Sequence, residues 1–81
     1  MRVTVRFFAR LRELTGRGEC ECDVAPGATI ADVWGAMVTE HPALEPFRRS
    51  ISCARNAEFA RMAAVVQDRD DVAFLPPVSG G

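Results

Sequence analysis

The sequence of 81 residues contains no lysine, and all ten of its basic residues are arginines. We therefore expect the amino terminus to be the only primary amine of the chain. The formal net charge of -1 argues against nucleic-acid binding, which normally needs a basic face. No run approaches the roughly 20 apolar residues that a membrane span needs, and no secretory signal is evident. We predict a single-domain cytoplasmic protein with neither nucleic-acid nor membrane partners.

Cysteine and histidine are also scarce. The three cysteines are too few for a disulfide framework in a sequence of this kind. Cys20 and Cys22 alternate with acidic residues, so both face the same side of a predicted strand. Neither the single histidine, His41, nor the distant Cys53 completes a metal site with them. We predict that Cys20 and Cys22 pack in the core, that the chain binds no metal, and that His41 is a surface group at a helix end.

The first third of the chain predicts two strands joined by a short helix. Every second residue from Val3 to Phe7 is apolar, which is typical of a strand with one buried face, and Phe8 lies on its other face. Residues 9–14 favour a short helix that stops at Gly16. Residues 19–24 then predict a strand with one acidic face.

The strongest helix signal runs from Thr29 to His41. Thr29 and Asp32 are spaced as an approximate capping box, in which each side chain accepts a hydrogen bond from the other residue's backbone. Pro42 ends the helix because proline removes a backbone donor and clashes with the preceding turn. The apolar residues form one stripe: Ile30, Val33, Trp34, Met37 and Val38.

The second half predicts shorter elements. Residues 43–50 are expected to form a loop containing one helical turn, followed by a strand over 51–55 and a turn at Asn56-Ala57. Residues 59–66 fit either a helix or short irregular strands. An apolar strand over 72–75 closes the domain. The outline is that of an α+β protein, with a mixed sheet packed on one helix.

The composition of the C-terminal residues predicts their backbone conformation and reach. Pro76 and Pro77 favour extended backbone, so we expect a stiff spacer after the last strand. Gly80 and Gly81 carry no side chain. From Leu75 onward the chain could reach about 20 Å, far enough for a thin tip to enter a narrow channel in another protein. The alternative is a frayed terminus without a function.

Two segments carry a resemblance to a known family. Val5–Gly16 (VRFFARLRELTG) and Asp71–Gly81 (DVAFLPPVSGG), together with Asn56, resemble the MoaD/ThiS family of ubiquitin-like sulfur carriers, in particular the small subunits of molybdopterin synthase. The similarity runs from end to end. It implies a β-grasp domain over residues 1–75, with about five strands packed on the main helix. It also implies an extended tail over residues 76–81.

The resemblance bears on two uncertain places. It favours a short strand and a tight turn over a helix in residues 59–66. The family usually has a glycine in the turn before the last strand, and here that position is Arg69. We therefore expect a different turn type, or a positive φ at Asp68 or Asp70 in its place.

The same resemblance implies a function for the tail. An E1-like enzyme would use ATP and Mg²⁺ to adenylate the carboxylate of Gly81, and a sulfur donor protein would convert it to a thiocarboxylate. That sulfur would pass to cyclic pyranopterin monophosphate in the large subunit of a heterotetrameric synthase. Gly80 would let the backbone pass the constricted site. The chain would bind no cofactor and would be no enzyme on its own.

A carrier of this kind must dock on its partners. The residues expected to contact the large subunit and the activating enzyme are Phe74, Leu75, Pro76, Pro77, Val78 and Ser79. Phe7 and Phe59 are possible neighbours. The alternative for Phe7 and Phe74 is that strand alternation places both in the core.

Other functions remain open at this point. A sulfur carrier for thiamine thiazole or cysteine biosynthesis would share the fold and the Gly-Gly end. A ubiquitin-like binding module, or a modifier joined through Gly81 to lysines of target proteins, would share them too. The partner that copurifies, and covalent adducts in a denaturing gel, would distinguish these functions.

Overall fold

The structure, a computed structural model, describes residues 1–77. Within them, five strands form one sheet in the order β2-β1-β5-β3-β4, where β1 and β5 are parallel and the other neighbours antiparallel. This is the ubiquitin-like β-grasp fold, so the predicted fold class is confirmed. The elements are β1 (Arg2–Phe7), α1 (Ala9–Thr15), β2 (Glu19–Asp23), α2 (Ile30–Glu40), a 3-10 helix (Pro42–Phe47), β3 (Ser52–Arg55), β4 (Glu58–Ala60) and β5 (Asp71–Leu75).

Helix α2 begins and ends where the sequence predicts. Thr29 Oγ1 accepts a hydrogen bond from the Asp32 amide at 3.2 Å, and Asp32 Oδ2 accepts one from the Thr29 amide at 2.8 Å. This capping box satisfies two of the amides that a helix N-terminus leaves without partners. At the other end, the His41 amide donates to the carbonyl of Met37 before Pro42 stops the helix.

The core lies between α2 and one face of the sheet. Phe74, from the central strand β5, is fully buried, and its ring centroid lies 5.0 Å from that of Trp34 and 6.3 Å from that of Phe7. Cys22 and Cys20 are in register with buried Val3 and Val5 of β1, so Cys22 is buried and Cys20 half-buried while the neighbouring acidic residues are exposed. The core role predicted for these two cysteines is confirmed.

The segment after β4 does not form a helix, and the short-strand interpretation is confirmed. The carbonyls of Met62 and Ala64 accept hydrogen bonds from the amides of Ala31 and Ile30, and Val65 forms a bridge with Thr29. The first-turn amides of a helix have no partner within it. Residues 62–65 supply those partners from a turn at Met62-Ala63 and a bridge at Val65, so the segment is not helical.

The turn before β5 corrects the expectation about Asp68 and Asp70. Arg69 itself has a positive φ of 68°, and neither aspartate does. Both aspartates accept hydrogen bonds from backbone amides. Asp68 Oδ1 accepts one from Arg2 at 2.9 Å, and Asp70 Oδ2 accepts one from Gln67 at 2.8 Å. The residue between them takes the left-handed conformation, although it carries a Cβ.

The hairpin between β3 and β4 turns at Asn56-Ala57 as predicted. Both residues have a positive φ, 52° and 69°, as a two-residue turn that matches the twist of the strands requires. Asn56 Nδ2 also donates to Asp70 Oδ1 at 3.0 Å, and Asn56 Oδ1 accepts from the Asp71 amide at 2.9 Å. These bonds tie the hairpin to the start of β5.

Candidate docking site at the base of the C-terminal tail

The tail leaves the domain from the middle of the sheet. Leu75 ends β5, which lies between β1 and β3, and Pro76 and Pro77 follow it at the surface. The remaining residues predicted for the site, Val78, Ser79, Gly80 and Gly81, lie outside the described residues. The candidate site therefore consists of the surface from which the tail departs.

Phe74 does not belong to that surface, and its predicted docking role is wrong. Its relative exposure is 0%, and that of Phe7 is 1%. Both side chains point to the helix side of the sheet, because Phe7 and Phe74 are in register on neighbouring strands. Each shares its face with a buried valine two residues earlier on its own strand. Leu75, one residue further along, points to the opposite face and is half-buried.

The face of the sheet opposite α2 carries an apolar strip. Arg6 is in register with Ala73, Ala73 with Ala54, and Ala54 with Phe59. The two alanines are too small to cover the aromatic ring at the end of this row. Phe59 is accordingly 81% exposed, more than any other large apolar side chain among residues 1–77.

Phe8 extends the apolar surface towards the tail. It is 45% exposed and lines a groove with Phe47, Leu75 and the two prolines. A second depression beside it reaches Ala73. We name the apolar residues on this side of the sheet the open-face patch; they are Phe8, Ala54, Phe59, Ala73 and Leu75.

Sequence reasoning missed Phe8 as a docking residue, although the signal was present. Phe8 directly follows buried Phe7, so alternation places it on the opposite face, and Leu75 stands in the same relation to Phe74. Two adjacent large apolar residues on a strand cannot both face one core. The outer member of each pair is the candidate for binding.

The other half of the open face is charged but internally paired. Arg6 donates to Asp71 and to Glu19, both at 2.6 Å, and Arg2 donates to Asp23 at 3.0 Å and to Glu21 at 3.1 Å. The hydrogen bond and the positive charge of Arg2 lower the pKa of Asp23. Exposed pairs of this kind contribute little stability. The two arginines face four carboxylates, so this half of the face is acidic, and the apolar patch lies beside it.

Among residues 1–77, no group of three or more histidine, cysteine, aspartate or glutamate side chains is arranged to hold a metal ion. His41 is less exposed than predicted: its side chain is 17% exposed, 3.8 Å from Glu40, with its ring edge-on to Phe7. No helix in the part of the chain that the structure describes is long and apolar enough to cross a membrane.

Comparison with known proteins identifies the family. The family model described as the ThiS family matches residues 5–81, which include both the open-face patch and the tail. The chain belongs to the ThiS family. The family resemblance carried by Val5–Gly16 and Asp71–Gly81 is thereby confirmed.

As a member of the ThiS family, the chain is similar to proteins with different names. The molybdopterin synthase sulfur carrier subunit of Arabidopsis thaliana is 38% identical over 79 residues, which cover 98% of this chain and 82% of the plant protein. The crystal structure of SAMP1 from Haloferax volcanii matches with a TM-score of 0.87 and 33% identity, covering 100% of both chains. A chain of the BexX/CysO complex of Amycolatopsis orientalis matches with a TM-score of 0.72 and 29% identity, covering 98% of this chain and 99% of that one.

Proposed function

We propose that the chain is the sulfur carrier subunit of a cytoplasmic molybdopterin synthase. The observation that carries the proposal is the position of the tail, which follows Leu75 of the open-face patch and has the sequence Pro-Pro-Val-Ser-Gly-Gly. The similarity to the Arabidopsis sulfur carrier subunit over nearly the whole chain supports it. In this proposal residues 1–75 form the docking domain, and residues 76–81 form the tail that carries the sulfur.

The proposed chemistry takes place at the carboxylate of Gly81. At neutral pH this group is ionised and a poor electrophile. One of its oxygens attacks the α-phosphorus of Mg²⁺-bound ATP in an E1-like enzyme, and pyrophosphate leaves. The terminal sulfur of a persulfide on a donor protein then attacks the acyl carbon and displaces AMP, and a second thiol cleaves the sulfur–sulfur bond of this intermediate by forming a disulfide with the donor cysteine. The resulting thiocarboxylate is the form that donates sulfur to cyclic pyranopterin monophosphate.

The open-face patch is the proposed contact with the large subunit of the synthase. Exposed aromatic rings beside a tail supply apolar area that a partner can cover, and aromatic residues are enriched among energetically dominant contacts. From Pro77, four extended residues reach about 13 Å, which lets Gly81 enter a pocket while the patch holds the domain outside. The catalytic groups then belong to the large subunit.

The test is reconstitution from purified components. The chain, bearing a thiocarboxylate on Gly81, is mixed with the large subunit and cyclic pyranopterin monophosphate, and molybdopterin is measured by the fluorescence of its oxidised derivative. We expect product only when both subunits are present and none from the chain lacking Gly81. Product formed by the carrier without the large subunit would contradict the proposal.

A second candidate function is protein modification. The match to SAMP1, the small archaeal modifier protein 1 of Haloferax volcanii, over the whole of both chains favours it. As a modifier, the chain would pass the acyl group of Gly81 to lysine amines of other proteins. Incubation with a lysate, ATP and the activating enzyme would then leave covalent adducts in a denaturing gel, and deletion of Gly81 would remove them. Without such adducts the modifier function fails.

Sulfur delivery to thiamine thiazole or cysteine biosynthesis is a variant of the first function. It differs only in the acceptor complex. Binding to the large subunit of molybdopterin synthase, with no binding to a thiazole synthase in the same assay, would decide for the proposed pathway.

A further inference from the structure

An activated C-terminal glycine reacts with whatever nucleophile it meets, and the commonest strong nucleophile on a protein surface is the lysine amine. This chain has none, because all ten of its basic residues are arginines. The guanidinium group of arginine stays protonated at any physiological pH and does not act as a nucleophile. The basic surface of a second copy is therefore inert towards the activated end.

The amino group of Met1 is held against the sheet. It donates to the Val24 carbonyl at 2.9 Å, and the Val24 amide donates back to the Met1 carbonyl at 2.8 Å. Met1 is itself only partly exposed. An attack by this amine requires its release from the Val24 carbonyl.

The three thiols are also poorly placed to react. Cys22 and Cys53 have relative exposures of 8% and 4%, and Cys53 Sγ lies 3.2 Å from the Ala60 carbonyl. Cys20 Sγ lies 3.8 Å from the sulfur of Met37. Burial raises the pKa of all three cysteines, which keeps them as thiols rather than the more nucleophilic thiolates.

We propose that this chain is an acyl donor without an acceptor: once its C-terminal glycine is activated, the acyl group passes to other molecules and never to another copy of the chain. The inference rests on the proposed activation of Gly81. In a transfer to an amine, a C–N bond forms, the bond from the acyl carbon to the leaving group breaks, and the amine loses a proton to solvent. As a modifier the protein would be attached in single units, and as a sulfur carrier it would lose no activated molecules to self-coupling.

The experiment activates Gly81 chemically, so that no enzyme is needed. A C-terminal thioester is prepared by thiol cleavage of an intein fusion and concentrated at mildly alkaline pH. Arg48, Arg49 and Arg61, all exposed, are replaced together by lysine in one variant and together by glutamine in the matched control. Intact mass and denaturing gels measure hydrolysed monomer and covalent dimer. Added Nα-acetyl-lysine methylamide, captured as an adduct, measures the reactivity of each thioester.

We expect the lysine variant to give at least tenfold more covalent dimer than the wild-type chain or the glutamine variant, both of which should be recovered almost entirely as hydrolysed monomer. Dimer from the wild type at the level of the lysine variant would overturn the proposal. So would the absence of dimer from the lysine variant while the small amine is captured. Failure of the proposed function is a separate result, because it would appear as a chain that the activating enzyme does not modify.

Discussion

Replacement of Phe59 by alanine separates binding from folding. The Phe59 ring is 81% exposed and lies on β4 at the edge of the sheet, next to Ala54. Its removal takes few contacts from the folded domain, so we expect the free energy of unfolding to change by no more than about 0.5 kcal/mol. In a complex that covers the open-face patch, the same ring would be desolvated against the partner.

The expected loss of affinity follows from the size of that contact. Aromatic side chains at the centre of an interface commonly contribute about 2 kcal/mol or more on truncation. Since about 1.4 kcal/mol corresponds to a factor of ten, Phe59→Ala should raise the Kd for the large subunit by about 30-fold. Phe74→Ala should act in the opposite way, because the buried ring supports the core and its loss costs about 3–5 kcal/mol of stability.

Isothermal titration calorimetry with the purified large subunit measures the Kd, and thermal unfolding measures stability. Glu58→Ala is the matched control, since Glu58 is exposed and adjacent to Phe59, and alternation places it on the other face of β4. It should leave both quantities unchanged. An unchanged Kd for Phe59→Ala, with the wild-type complex formed in the same assay, would refute the assignment of the open-face patch.

Three further substitutions test the domain. Trp34→Ala removes a ring that is 2% exposed and packed on Phe74, so we expect a loss of about 3–5 kcal/mol and a fall in Tm of at least about 12 °C; an unchanged Tm would contradict the packing of α2. Arg69→Gly relieves a left-handed residue and should raise stability by up to about 1 kcal/mol in urea unfolding, once the greater backbone freedom of glycine is subtracted; a loss would show that the Arg69 side chain stabilises the turn. Burial alone would raise the pKa of Asp70, but hydrogen bonds from Asn56 and the Gln67 amide outweigh it and lower the pKa. A lowered folded pKa gives stability that is present above the unfolded value and lost as pH falls through the folded one. Asp70→Asn should therefore destabilise the domain more at pH 7 than at pH 3, and equal effects at both would argue against a stabilising charge.

Local signals in the sequence were sufficient for most of the fold. The capping box of Thr29 and Asp32, and the stop at Pro42, act within one or two helical turns, so they could be recognised without tertiary information. The alternation of apolar residues from Val3 to Phe7 likewise predicts a strand with one buried face from the local sequence alone.

Interactions distant in sequence account for what could not be predicted. Residues 62–65 have helix-forming composition, yet they form a turn and an isolated bridge because their carbonyls accept the first amides of α2, some thirty residues earlier in the chain. Arg69 takes a positive φ because Arg2 and Gln67 hold the two flanking aspartates. Neither constraint is visible in the local sequence.

The candidate site shows the same division. The tail could be recognised from the sequence, since Pro76, Pro77 and the terminal glycines act through their own covalent structure. The docking residues could be assigned only in part: Leu75 lies in the open-face patch, whereas Phe74 lies in the core. The local alternation of Phe7 and Phe8 already places Phe8 on the open face, whereas the exposure of Phe59 depends on which strands are neighbours, which the sequence does not encode locally.

The most direct test of the central claim is the intact mass of the chain after activation. The protein, tagged only at its amino terminus, is incubated with ATP, Mg²⁺, an E1-like enzyme and a sulfur source, beside a chain that lacks Gly81. The proposed function predicts a gain equal to the replacement of one oxygen by one sulfur, in the full-length chain only. No gain with an enzyme shown to activate another ThiS-family carrier, or an equal gain in the chain without Gly81, would contradict it.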